Sequence, residues 1–159
     1  MKLKKYWGCR MHSHNFDLLL APAVTAVLET MFFSEPLGPS EPDSSAGKLE
    51  VRVPFSGEVS GVLEIRISKA SARSLAASFL GESEESLTQS QTAQVVCELA
   101  NMLCGWIVSK PGSQGSFDLG SPELLSPEND RPIGVPASQQ SFGVENGTLT
   151  LSLYSSVAA

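Results

Sequence analysis

Histidine is nearly absent: the chain holds two, His12 and His14, both close to its start. A Ser-His-Asp or Cys-His hydrolase therefore has no imidazole to draw on along the body of the chain. Cysteine is scarce and odd in number. Cys9, Cys97 and Cys104 do not make a disulfide framework, and 159 residues are enough to fold without one, which suits a reducing compartment. Long apolar runs are missing too. The longest, Leu18 to Leu28, contains Pro22 and falls well short of the ~20 residues that a membrane span needs. Positive charge is in short supply, since 11 Lys plus Arg against 17 Asp plus Glu leave a net charge of −6. That is the wrong sign for a surface that must neutralise the phosphates of a nucleic acid. The start, Met1-Lys-Leu-Lys-Lys5, imitates the basic region of a signal peptide. Asp17 and two histidines separate it from the apolar run, and no small-residue cleavage site follows, so a cytoplasmic location without a membrane segment is expected. No glycine-rich phosphate loop and no internal repeat is found.

What is present suffices for one folded domain: 42% of residues are hydrophobic and 18% charged, enough apolar mass for a core and too little charge for a disordered chain. Residues 1–15 carry no periodicity and read as a flexible N-terminal tail, with a single domain over 16–159. Apolar positions at Leu19, Leu20, Ala23, Val27 and Met31 predict a first helix over Ala21–Phe33, with Pro22 in its first turn. A Pro/Gly/Ser loop follows to Gly47. Leu49, Val51, Val53 and Phe55, then Leu63, Ile65 and Ile67, alternate with polar residues as half-buried strands do, and Ser56-Gly57 would join them as an antiparallel pair. Ser68 as N-cap and Gly81 as C-terminal stop bracket a short amphipathic helix. A third and longest helix starts where Thr88 and Gln91 suit a capping box and ends before Pro111. A strand is expected over Phe117–Leu125, and two more flank the Asn146-Gly147 turn, a strong hairpin signal. The predicted class is α+β, helices packed on an antiparallel sheet in the order α-β-β-α-α-β-β-β.

The third helix carries the candidate chemistry. At about 100° per residue, Val95, Val96, Leu99, Met102, Leu103, Trp106 and Ile107 share one broad arc, which is core. Ala93, Cys97, Ala100 and Cys104 form a small-residue stripe beside it. Gln94, Glu98, Asn101 and Gly105 then share the remaining narrow arc of roughly 60°. Exposed helix faces usually carry ion pairs, yet positions 94, 95, 101 and 102 offer Glu98 no Lys or Arg. A mid-helix Gly costs about 1 kcal/mol relative to Ala, and Asn is a weak helix former. This face gives up helical stability for a carboxylate, an amide and a flat spot. Taken alone, a Glu and an Asn three apart are commonplace on a solvated face. Elsewhere, Cys9, His12 and His14 place three possible zinc ligands within six residues but lack a fourth and a frame, so no metal site is expected. Cys97 and Cys104 have no nearby cation on the helix to activate a thiol.

The segment Glu98-Leu-Ala-Asn101-Met-Leu-Cys-Gly105 resembles the Glu-x-x-Asn signature helix of the CheX, CheC and FliY family of response-regulator phosphatases. Val27-Leu-Glu-Thr-Met-Phe32 is similar to the end of that family's first helix, Gly57 to Ile67 to its Gly-x-Leu strand, and Ser141-Phe-Gly-Val144 with the final hairpin to its C-terminal strands. One motif copy resembles CheX rather than the two-motif CheC. Two positions depart from the pattern, Gln94 where Asp or Ser is frequent and bulky Trp106 after Gly105; a Pro about twenty residues past the Asn is present as Pro122. The resemblance implies a phosphatase acting on the aspartyl phosphate of a CheY-like receiver domain and so terminating a chemotaxis or two-component signal. Glu98 and Asn101 would be catalytic, and Gln94 and Gly105 partner-binding. The chain would need no cofactor of its own, Mg²⁺ being expected on the receiver. A homodimer is also implied, and the C-terminal strands, with their Asn-Gly hairpin and few charges from Thr148 to Ala159, are expected to offer a sheet edge that needs cover. The alternative is a non-catalytic docking or assembly module of the same fold.

Overall fold

A computed structural model of the chain describes residues 2–43, 47–109 and 116–156, and side chains within those ranges from Phe16 to Ser155. Strand β1 (Lys48–Ser56) pairs antiparallel with β2 (Ser60–Ser68), Val51 opposite Ile65. The expected alternation is real. Val51, Val53, Phe55, Leu63, Ile65 and Ile67 are buried on one face, and Glu50, Arg52, Glu64 and Arg66 share the other. Strands β5 (Ser138–Val144) and β6 (Gly147–Ser156) form the hairpin, and Asn146 takes a left-handed φ of 67° at its turn, a conformation that Asn tolerates better than most residues.

The sheet order is β3-β1-β2-β6-β5, with β3 at Asp118–Leu119. Strand β6 therefore lies inside the sheet, where Leu149, Leu151 and Leu153 are buried, and its hairpin partner is the edge that the C-terminal strands were expected to offer. The edge is β5, and it is partly covered from within the chain: Leu37 N–H donates to Gly143 O at 2.7 Å, Gly143 N–H to Gly38 O at 2.8 Å, and Ser40 N–H to Ser141 O at 2.9 Å. The strand expected over Phe117–Leu125 is two short ones, β3 (Asp118–Leu119) and β4 (Glu123–Leu124), both paired with β1. Gly120 breaks the run because its backbone lies on Pro54, where a Cβ would collide with the proline ring, and Pro122 has no N–H to continue a ladder.

Three helices cover the apolar face. α1 (Lys2–Met31) starts well before Ala21 and carries Pro22 inside it. Leu18 and Pro22 are both exposed, so the Leu18 carbonyl that loses its donor lies on the solvent side. Residues 1–15 thus contribute helical backbone from Lys2, while their side chains, including the Cys9, His12 and His14 trio, lie outside the described residues. α2 (Lys69–Leu80) ends as expected at Gly81, left-handed with φ 67°. Ser68 makes no capping bond; its hydroxyl instead accepts the Thr148 N–H at 3.1 Å. After a 3₁₀ turn at Glu84–Ser86, α3 (Gln89–Val108) begins at the predicted capping box, with Gln91 N–H on Thr88 Oγ1 at 3.0 Å and Thr88 N–H on Gln91 Oε1 at 2.9 Å. The ends of α1 and α2 meet where Phe32 stacks on Phe79, ring centroids 5.0 Å apart.

The opposite sheet face holds a charge ladder. Glu64, 4% exposed, takes Arg52 Nε at 2.8 Å and Arg66 at 3.5 Å, Arg66 reaches Glu50 at 2.8 Å, and Arg52 reaches Asp130 at 3.1 Å. Among the described residues no helix is long and apolar enough to cross a membrane.

Candidate functional site on the third helix

The orientation of α3 follows from its core side. Val95, Val96, Leu99, Leu103 and Ile107 are buried, as are Ala100 and Cys104, and Cys97, Met102 and Trp106 pack half-buried at the margins. This fixes the rotation of the helix and leaves Gln94 and Glu98 exposed, with Asn101 and Gly105 half-buried, along one row. Over 11 residues at 1.5 Å each the row is about 16 Å long. Neither Glu98 nor Asn101 has a hydrogen-bond or ion-pair partner among the described residues, so carboxylate and carboxamide are both available to a visitor.

The row borders an open groove of about 570 Å³, where Gln94 and Glu98 face Phe79 and Leu80 from α2, Leu124 from β4 and Pro122 just before it. At the other end, a Cβ built on Gly105 would meet Leu119 Cδ1 at 3.6 Å, ordinary contact, and no other atom within 4 Å. Leu119, Leu124 and Leu80 are residues the sequence reading passed over as site neighbours. The break in alternation at Gly120–Pro122 was the available signal, because a split strand turns leucines outward that a continuous one would spend on the sheet.

Nucleophilic chemistry is absent here. Burial pushes the Cys104 thiol up to about 12, and burial with the neighbouring Glu98 charge raises that of Cys97, so neither is a thiolate at neutral pH. Among the described residues no cluster of three His, Cys, Asp or Glu side chains is placed to hold a metal ion. The arrangement can position and hydrogen-bond, but it brings no attacking group of its own.

Comparison with known proteins gives this row a context. The solved structure of the chemotaxis protein CheX from Vibrio vulnificus is 20% identical with a TM-score of 0.72, covering 89% of this chain and 96% of that one. A CheC-like protein from Shewanella sp. PV-4 is 22% identical with a TM-score of 0.69, over 89% and 97%. A CheX solved in complex with CheY, BeF3 and Mg²⁺, from Borrelia burgdorferi, is 20% identical with a TM-score of 0.67, over 86% and 95%. These likenesses are of fold. No curated protein sequence matches the chain significantly. The profile of one family, described as chemotaxis phosphatase CheX, matches residues 50–147. That match runs from β1 through α3 to the final hairpin, over more than half of the sequence, and the chain belongs to the CheX family of chemotaxis phosphatases.

Proposed function

We propose that the chain hydrolyses the aspartyl phosphate of a CheY-like receiver domain and so ends a chemotaxis or two-component signal, acting in the cytoplasm through the domain over 16–159. The observation that carries this is the pair Glu98 and Asn101, adjacent on α3, the first exposed and the second half-buried, both without hydrogen-bond or ion-pair partners among the described residues. Family membership supports it, and so does the Borrelia CheX solved with CheY, BeF3 and Mg²⁺.

An acyl phosphate is already reactive, so the phosphatase has to supply position more than force. Water must sit behind phosphorus, in line with the bond to the aspartyl oxygen. The Asn101 carboxamide holds that water by hydrogen bonds and does not itself compete as a nucleophile. The water oxygen bonds to phosphorus, the bond to the aspartyl oxygen breaks with its electron pair leaving on the carboxylate, and inorganic phosphate departs with both of the water's protons, one of which it exchanges with solvent. The receiver brings its own Mg²⁺. Glu98 accepts a charge-assisted contact from a receiver lysine and keeps the amide in register. Gly105 leaves room for the partner backbone, and Gln94 extends the contact. The chain works as a homodimer, a reading that rests on the resemblance and on β5, the hairpin strand at the sheet edge, which Leu37–Ser40 covers only in part.

The test is direct. The purified chain is mixed with a phosphorylated receiver and Mg²⁺, and loss of aspartyl phosphate is followed. Asn101→Ala should keep the affinity and lower turnover; if positioning is worth roughly 3 kcal/mol, the loss is about a hundredfold. Should Asn101→Ala turn over as fast as the parent, the amide does not position water and the docking-module alternative becomes the better account.

A further inference from the structure

The groove beside Glu98 has a wall that the phosphatase chemistry does not use. Leu119 is 37% exposed, Leu124 39% and Leu80 40%, three leucines left half in water around one polar row. Leu80 and Leu124 line the groove, and Leu119 lies beyond it, over Gly105; single exposed leucines are ordinary, but several along one row mark a contact surface. Their placement is firm. Leu119 pairs with Phe55 and Leu124 with Val51 on β1. Gly120 N–H donates to Pro54 O at 2.7 Å and Leu125 N–H to Glu50 O at 2.8 Å. Behind the wall, Asn129 Nδ2 donates to Glu123 Oε1 at 3.1 Å and to Leu124 O at 3.2 Å, while its Oδ1 accepts the Ser126 N–H at 2.6 Å. Every one of these bonds fixes backbone or a polar neighbour, and the leucine side chains lie beside α3 at the margin of the helix-covered face, partly exposed.

The wall runs beside the whole row, with Leu119 over Gly105 at one end and Pro122 and Leu124 beside Gln94 and Glu98 at the other. Among the described residues its charges are of one sign: Glu98 lies in the groove, Asp118 and Glu123 stand exposed on β3 and β4, and none of the described residues lining the groove is a Lys, Arg or His. A nucleic acid or an anionic lipid surface would be repelled. The surface fits a protein that presents aliphatic side chains next to a cation.

Resting on the phosphatase reading, we infer that Leu119 and Leu124 are the residues by which this chain selects its receiver domain, gripping apolar side chains beside the receiver's phosphorylated carboxylate while Glu98 takes the cation. The wall supplies affinity and choice of partner, and Asn101 supplies rate. Binding held equally in ground and transition states changes KM and leaves kcat, so the two contributions separate in the kinetics.

The experiment compares the parent chain with Leu119→Ser, Leu124→Ser, the double variant and Leu119→Met, by calorimetric titration with a receiver domain carrying beryllofluoride and Mg²⁺ and by turnover of the phosphorylated receiver. Each serine should raise Kd and KM about tenfold, or about 1.4 kcal/mol, with kcat within twofold. Leu119→Met, apolar and adaptable, should bind like the parent. Melting temperatures of all variants should stay within about 2 °C, as expected for half-exposed positions. An unchanged Kd in the double variant overturns the inference and leaves the phosphatase reading standing, and so does a fall in kcat at constant KM. A parent chain that neither binds the loaded receiver nor removes phosphate overturns both.

Discussion

Gly105→Ala should make the protein more stable and a worse phosphatase. Gly105 lies inside α3, three residues before its end at Val108, and its backbone is not in the left-handed region. A Cβ added there would touch Leu119 Cδ1 at 3.6 Å and nothing nearer, so the methyl group enters without strain. Replacing a helix-interior Gly by Ala is worth about 0.5–1 kcal/mol, which for a chain of this size raises Tm by roughly 1–4 °C. If the receiver's backbone seats on the bare Gly105, the same methyl is an overpacking defect in the complex, of about 1–3 kcal/mol. That predicts a loss of roughly five- to a hundredfold in kcat/KM. Thermal melts and turnover of a phosphorylated receiver on the same preparation decide it. A lower Tm would refute the reading of open space at Gly105, and an unchanged kcat/KM would refute its use by the partner.

Two further outcomes test the frame behind the site. Glu64→Ala removes the carboxylate that Arg52 and Arg66 share, but Arg52 keeps Asp130 and Arg66 keeps Glu50, so the cost is about 1–2 kcal/mol, below that of a stranded buried charge; the urea midpoint should fall, and an unmoved midpoint would reduce the ladder to surface decoration. Burial raises the Cys104 thiol from 9.0 to about 12, so the folded chain keeps a proton that the unfolded chain releases: the stabilisation is full below about pH 9 and is lost as pH climbs toward 12, by about 1.4 kcal/mol per unit. Cys104→Ala should flatten that part of the slope in melts taken between pH 8 and 10, and an equal slope in both chains would place the alkaline loss elsewhere.

What the sequence made legible was local. The Thr88–Gln91 box, the Gly81 stop, the alternation in β1 and β2 and the Asn146 turn each depend on residues within a few positions of one another, and each stands where expected. What it hid was set by distant partners. Pro22 within α1 is tolerated because that side of the helix faces water, a fact of packing. The position of β6 inside the sheet depends on β2, some ninety residues earlier, bonding its far side. The cover on β5 comes from Leu37–Ser40, which follows Pro36 and contains Pro39, prolines that read as a plain loop. Those prolines are compatible with an edge, where a missing N–H points away from the ladder.

The site divides along the same line. Gln94, Glu98, Asn101 and Gly105 were readable as a row because one helix carries all four and its period is fixed. Their neighbours Leu119 and Leu124 were not, because they reach the row through pairing with β1 and not through any spacing. The row is also where local preference and fold disagree: a weak helix former at Asn101, a glycine at Gly105 and a carboxylate without a cation all sit in a helix that is otherwise capped and packed as its sequence asks. Local rules broken inside a consistent frame are expected at functional positions. On that ground the disagreement, more than the mere presence of a Glu and an Asn, argues that this face was shaped by a partner, and Gly105→Ala probes it because restoring the local rule should improve the fold and harm the function.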